Sequence, residues 1–162
     1  MKFVQCLLIL VFSPFVSIGQ DADKIAVENV IVDLFKGMYN SDSAQVRKLF
    51  VPSVKMATIA TDAQGNSVAK DGGSLMDFLT AIGTKRPDKL SEEIWNIKVN
   101  IDGGLAQAWC DYAFYVGKKF SHCGADAFHL VKENGQWKIF QLADTRRRSN
   151  CIIPEVIQNK FK

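Results

Sequence analysis

The chain has 162 residues, 48% of them hydrophobic and 23% charged, and a formal net charge of +3. That length suits one domain around one core. The charge excess is too small to imply a polyanionic partner, and the basic run Arg146-Arg147-Arg148 lacks the interleaved aromatics that stack bases, so it reads as a solvated strand end and no nucleic-acid partner is expected.

Residues 1–19 have the pattern of an export leader. Lys2 precedes the apolar stretch Phe3–Phe12, and Ser17-Ile18-Gly19 offers small residues for cleavage. The stretch is too short to span a bilayer, and Cys6 lies inside it, away from any lipid-anchor position. The expected product is residues 20–162, a single domain that is periplasmic or secreted, with no membrane insertion after cleavage.

Val27, Val30, Ile31, Leu34, Phe35 and Met38 then recur at helical spacing, with Asp21 or Asp23 as the cap and Tyr39 at the end. A short second helix is predicted from Asp42, with Gln45 completing a capping box. It carries Val46, Leu49 and Phe50 inward and stops before Pro52. Val54–Thr61 and Ser67–Lys70 flank Asp62-Ala63-Gln64-Gly65-Asn66 as a hairpin. Ser74 and Asp77 cap a third helix whose apolar face is Leu75, Phe78, Leu79 and Ile82, ending at Gly83. Thr84–Ser91 reads as a polar connection, a lid or simply a loop.

From Ile94 onward the chain is strand with its turns spelled out. Ile94–Ile101 ends at Asp102-Gly103-Gly104, Leu105–Val116 at Gly117-Lys118-Lys119, and Ser121–Lys132 at Asn134-Gly135, before Gln136–Thr145. Short Gly-containing turns join antiparallel neighbours, which makes this a meander. Strands of about a dozen residues exceed the usual five or six, so the sheet must curl. Helices on its concave side then leave a pocket. The fold class is α+β, in the order α-α-β-β-α-β-β-β-β.

Three cysteines follow the leader. Cys110, mid-strand, reads as a small core residue. If Glu133 faces Gln136 across the turn, Cys123 faces Arg146, and only a short return separates it from Cys151. A Cys123–Cys151 disulfide is the expected pairing; two free thiols or a metal site are the alternatives, and a metal lacks further nearby ligands.

The element order, with Trp109–Tyr115 (WCDYAFY), Ser121–Val131 (SHCGADAFHLV) and Trp137–Arg147 (WKIFQLADTRR), resembles the nuclear transport factor 2-like superfamily. Within it the chain is most similar to exported bacterial proteins of the SnoaL-like and lumazine-binding type. The resemblance implies a strongly curved, mixed or antiparallel sheet wrapped as a cone around the N-terminal helices. It also implies a pocket at the wide end, and often a homodimer through the outer face of the sheet. It is a poor guide to activity, because the fold hosts isomerases, dehydratases, cyclases, binding modules and dimerisation domains.

Alternation sorts the candidate residues. Asp126, Phe128 and Leu130 share one strand face, while Cys123, Ala125, Ala127 and His129 share the other. Related isomerases carry a pocket acid at about the Phe128 position, where a phenyl ring donates no hydrogen bond. Asp126, two residues away, is the pocket carboxyl, with a structural contact to a loop or to Arg146 as the alternative. Tyr39 resembles in placement a catalytic tyrosine of some relatives, though a packing tyrosine with an exposed hydroxyl reads equally simply. Tyr112 and Phe114 belong to the core or pocket wall. His129 is expected on the outer face, His122 in a structural bond at the sheet edge, and Asp144 in an ion pair with Arg146 or Arg147. Neither a metal site nor a cofactor is expected.

Three functions follow. The first is an exported, non-catalytic binder of a small apolar or mixed-polarity ligand, walled by Phe35, Tyr39, Tyr112, Phe114 and Phe128 around Asp126. The second is an acid–base enzyme of isomerase, dehydratase or cyclase type, with Asp126 as base and Tyr39 as donor. The third is an assembly module whose cone is filled.

Overall fold

The computed structural model describes residues 17–162, so the expected leader lies outside the described residues except for its last three, which open the first helix. Helix α1 spans Ser17–Tyr39. Its repeat buries Val27, Ile31, Leu34 and Phe35 in the main core, with Val30 and Met38 packed at the edge. The expected cap at Asp21 or Asp23 does not form, because the helix runs through both. Asp23 instead accepts Lys132 Nζ at 2.6 Å and Trp137 Nε1 at 3.1 Å, tying the helix to the base of the last hairpin.

Helix α2, Ser43–Lys48, has Asp42 as its cap, accepting the Gln45 N–H at 2.9 Å. The reciprocal half of the capping box is missing, since the Asp42 N–H already donates to Gly37 O. The helix also ends sooner than expected. Phe50 is buried as predicted, but as the first residue of strand β1, Phe50–Thr61, opposite Ile139. Pro52 falls within the irregularity between Phe50 and Lys55, where a residue without an N–H costs no ladder bond. Strand β2, Ser67–Asp71, completes the hairpin. Helix α3, Leu75–Gly83, carries the full Ser74–Asp77 capping box.

The meander consists of β3 (Leu90–Asp102), β4 (Leu105–Val116), β5 (Lys119–Glu133) and β6 (Gln136–Thr145). The predicted loop 84–91 is therefore shorter, and β3 begins four residues before Ile94 because Leu90–Glu93 pair with Ala113–Val116 of β4. One curved, open, six-stranded sheet results, in the order β2-β1-β6-β5-β4-β3, with β1 and β6 parallel. Asn134 and Gly135 both take positive φ, +50° and +78°, as a two-residue hairpin turn demands.

Cys123 and Cys151 are joined, with Cα atoms 6.0 Å apart. The register differs from expectation by one residue: an irregularity between His129 and Leu130 makes Cys123 face Arg147 rather than Arg146. The bond leads into the C-terminal segment, helix α4 (Glu155–Gln158) followed by a short turn of 3-10 helix. Ile153, Ile157 and Phe161 of this segment cover Trp95, Ala113, Tyr115 and Phe120 on the outer face of the sheet. The Phe161 ring stacks on Tyr115 with centroids 3.7 Å apart.

Candidate functional site

A cavity of about 540 Å³ opens where the sheet curls away from the C-terminal end of α1, a size common for small-molecule sites. Phe35, Tyr39, Tyr112, Phe114, Asp126 and Phe128, all singled out from the sequence, line it. Phe128 is fully buried and meets Phe35 edge to face at 6.3 Å. Tyr39 is half exposed at the rim under Lys89 Nζ, 4.2 Å from its ring centre.

Asp126 and Tyr39 therefore differ in setting, the first buried and the second at the rim. Asp126 is 4% exposed, deep in the sheet between Cys110 of β4 and Asp144 of β6. Arg146, one of the structural partners offered as the alternative for Asp126, binds Asp144, Nε to Oδ2 at 2.6 Å, and Asp126 is left with the Cys110 thiol at 3.9 Å. A thiol is a weak donor. Burial, reinforced by the nearby Glu92 and Asp144, holds the Asp126 carboxyl well above the usual range, with Arg146 opposing. A shift in this direction favours the protonated carboxyl, a form able to donate a hydrogen bond.

Four further residues line this end that the sequence reading did not place in the cavity. Glu92 fell between the predicted loop 84–91 and the predicted strand from Ile94; the early start of β3 turns it into the cavity, where burial and the Asp144 charge push its carboxyl up to about 8. The Asp144–Arg146 pair does form at the end of β6, but it also lines the cavity, and Asp144 accepts Thr58 Oγ1 at 2.6 Å. His122 was expected at the sheet edge. It does pair with a neighbour, Nδ1 with Ser121 Oγ at 3.0 Å, but it lies on the inner face, stacked on Phe114 at 5.0 Å and edge-on to Tyr112 at 5.7 Å. Plain alternation along β5 puts it there, on the same face as Asp126 and Phe128, and the ladder irregularity lies beyond it, between Phe114 and Tyr115. Burial, with Arg146 nearby, pulls the His122 pKa down, which favours the neutral imidazole.

Tyr112 closes the floor. It lies opposite Gly124 and donates its hydroxyl to Thr145 O at 2.8 Å. Only glycine fits beneath it, since a Cβ at 124 would stand 1.8 Å from that oxygen and 2.6 Å from the Tyr112 ring. His129, by contrast, is on the other face, beside Gln141 Oε1 at 3.2 Å. Among the described residues no group of three or more His, Cys, Asp or Glu side chains is arranged to hold a metal ion.

A curved sheet closed on one side by a long helix, with a buried acid at the bottom of an aromatic cavity, defines an NTF2-like α+β domain. The family described as Putative lumazine-binding matches residues 22–142, and the chain belongs to it. Among solved structures, the chain is similar to an NTF2-like protein of unknown function from Shewanella baltica, with 18% identity, a TM-score of 0.58, and coverage of 80% of this chain and 97% of that one. It is also similar to a protein described as a Putative Scytalone Dehydratase from Novosphingobium aromaticivorans, with 15% identity, TM-score 0.61, and coverage of 83% and 91%. A third is the beta subunit of a dioxygenase described as aromatic-ring-hydroxylating, from the same organism, with 14% identity, TM-score 0.64, and coverage of 82% and 94%. At these identities the likeness is one of fold alone. No curated protein matches.

Proposed function

We propose that this protein binds a small, largely apolar organic molecule in the cavity, and that protonated Asp126 donates a hydrogen bond to an acceptor on it. The observation that supports this is a buried carboxyl at the cavity wall with only a distant thiol for a partner. A buried acid held only by a weak thiol donor costs stability, and a ligand carbonyl or ring nitrogen would give it a better partner. A pteridine of the kind the family name invokes carries such acceptors. The open cavity argues against an assembly module with a filled cone.

Export accords with the disulfide, a bond that persists in oxidising compartments. A homodimer through the outer face would have to use what the C-terminal segment leaves free, notably the exposed Leu105 and Trp109. The acid–base alternative is favoured by one observation, the gathering of Glu92, Asp126, Asp144 and His122 at one end of the cavity. Its acid and base would be Asp126 and His122, not Asp126 and Tyr39.

Native mass spectrometry of protein purified from its own host tests the binding reading. Wild type is expected to carry a retained small molecule, and Asp126→Leu to lose it while remaining folded. An empty wild-type protein, or undiminished retention by Asp126→Leu, would remove Asp126 from the site.

A further inference from the structure

The connection between α3 and β3 crosses the cavity mouth and places Lys85, Arg86 and Lys89 in its lining, with one carboxylate, Asp88, among them. Arg86 reaches only the Ala81 carbonyl, at 3.5 Å, and Lys89 rests on the Tyr39 ring. The ion pairs among the described residues are Lys132–Asp23, Arg146–Asp144 and Lys160–Glu93, so none of the three mouth cations has a carboxylate within pairing distance. The interior does not offset them: Arg146 already answers Asp144, and Glu92 and Asp126 are held towards their neutral forms. Between mouth and floor the wall is Leu34, Phe35, Met38, Phe78 and Phe128. The cavity is thus apolar along its length and cationic at its opening.

We infer that the mouth is an anion subsite, and that the ligand is an amphipathic organic anion. Its rings or chain lie against the apolar wall, and its carboxylate, sulfonate or phosphate group sits among Lys85, Arg86 and Lys89. This rests on the small-molecule reading and adds the charge and orientation of the guest. Clustered cations beside a low-dielectric wall focus the field on an incoming anion, which raises both capture rate and affinity.

Two fluorescent probes with the same ring system separate the ideas: 1-anilinonaphthalene-8-sulfonate and its uncharged counterpart N-phenyl-1-naphthylamine. On the full chain the sulfonate is expected to bind about tenfold more tightly, a difference of about 1.4 kcal/mol. The neutral probe should displace it from a single site. Lys85→Gln/Arg86→Gln/Lys89→Gln is expected to bring the two affinities within about twofold by weakening only the sulfonate. Lys85→Gln/Arg86→Gln, which leaves Lys89 on Tyr39, should lose part of the preference. Equal affinities on wild type, a preference that survives the triple substitution, or equal losses for both probes in both variants would overturn the anion subsite while leaving the cavity as a binding site. Failure of both probes to bind would overturn the cavity reading as well.

Discussion

Replacing Glu92 by glutamine is expected to stabilise the folded protein near neutral pH and to do nothing in acid. The Glu92 carboxyl is pushed from 4.5 to about 8, first by burial and then by the Asp144 charge, with Arg146 opposing. Below the unfolded value the group is protonated in both states and contributes no difference. As pH rises through 4.5 the unfolded chain releases the proton while the folded protein keeps it, so stability falls until the folded value is passed. At pH 7 the gap spans about two and a half pH units, and at about 1.36 kcal/mol per unit this gives an upper figure of about 3.4 kcal/mol. Glu92 retains some exposure within the cavity, so the measured gain should be about 1–3 kcal/mol, or about 3–10 °C in Tm for a chain of this size. Thermal and urea unfolding of wild type and Glu92→Gln between pH 4 and 8 measures it. A variant that is less stable at pH 7, or a gain that persists unchanged at pH 4, would refute the account of a carboxyl strained by burial.

Two structural predictions accompany this one. Gly124→Ala forces a methyl into Thr145 O and the Tyr112 ring. The expected loss is about 3 kcal/mol or more, from overpacking and from the Tyr112–Thr145 hydrogen bond, and an unchanged urea midpoint would mean the floor is not closed in this way. Removing the disulfide in Cys123→Ala/Cys151→Ala opens a loop with a sequence separation of 28; chain entropy puts the cost at about 3–4 kcal/mol. Proteolysis should then begin in the C-terminal segment, and a variant as resistant as wild type would show that Tyr115 and Phe161 hold it without the bond.

What the sequence determined by itself was whatever depends on neighbours along the chain. Ser74 and Asp77 are three residues apart and cap a helix wherever it lies. Asn134-Gly135 permits its turn because of its own φ preferences, and the alternation of Asp126, Phe128 and Leu130 follows from the pleat. Even the disulfide follows from a hairpin register plus a short return, and it survived a one-residue slip because Cys151 is close to either partner. Where ladders slip and where strands begin depends instead on contacts between segments far apart in the chain. Glu92 became a cavity residue because Leu90–Glu93 found unpaired β4 backbone opposite them. Phe50 left its helix because Ile139 of the last strand was there to pair with it. Asp144 and Arg146 face the cavity because the ladder irregularity beside His129 shifts β6 by one residue and brings Asp144 opposite Asp126, and such slips arise between strands distant in sequence and leave no local mark; His122 was legible, since it shares the alternation of Asp126 and Phe128. The charges of the site belong to the same class: each acid in it is ordinary by composition, and burial against its neighbours is what raises the pKa of Glu92 and Asp126.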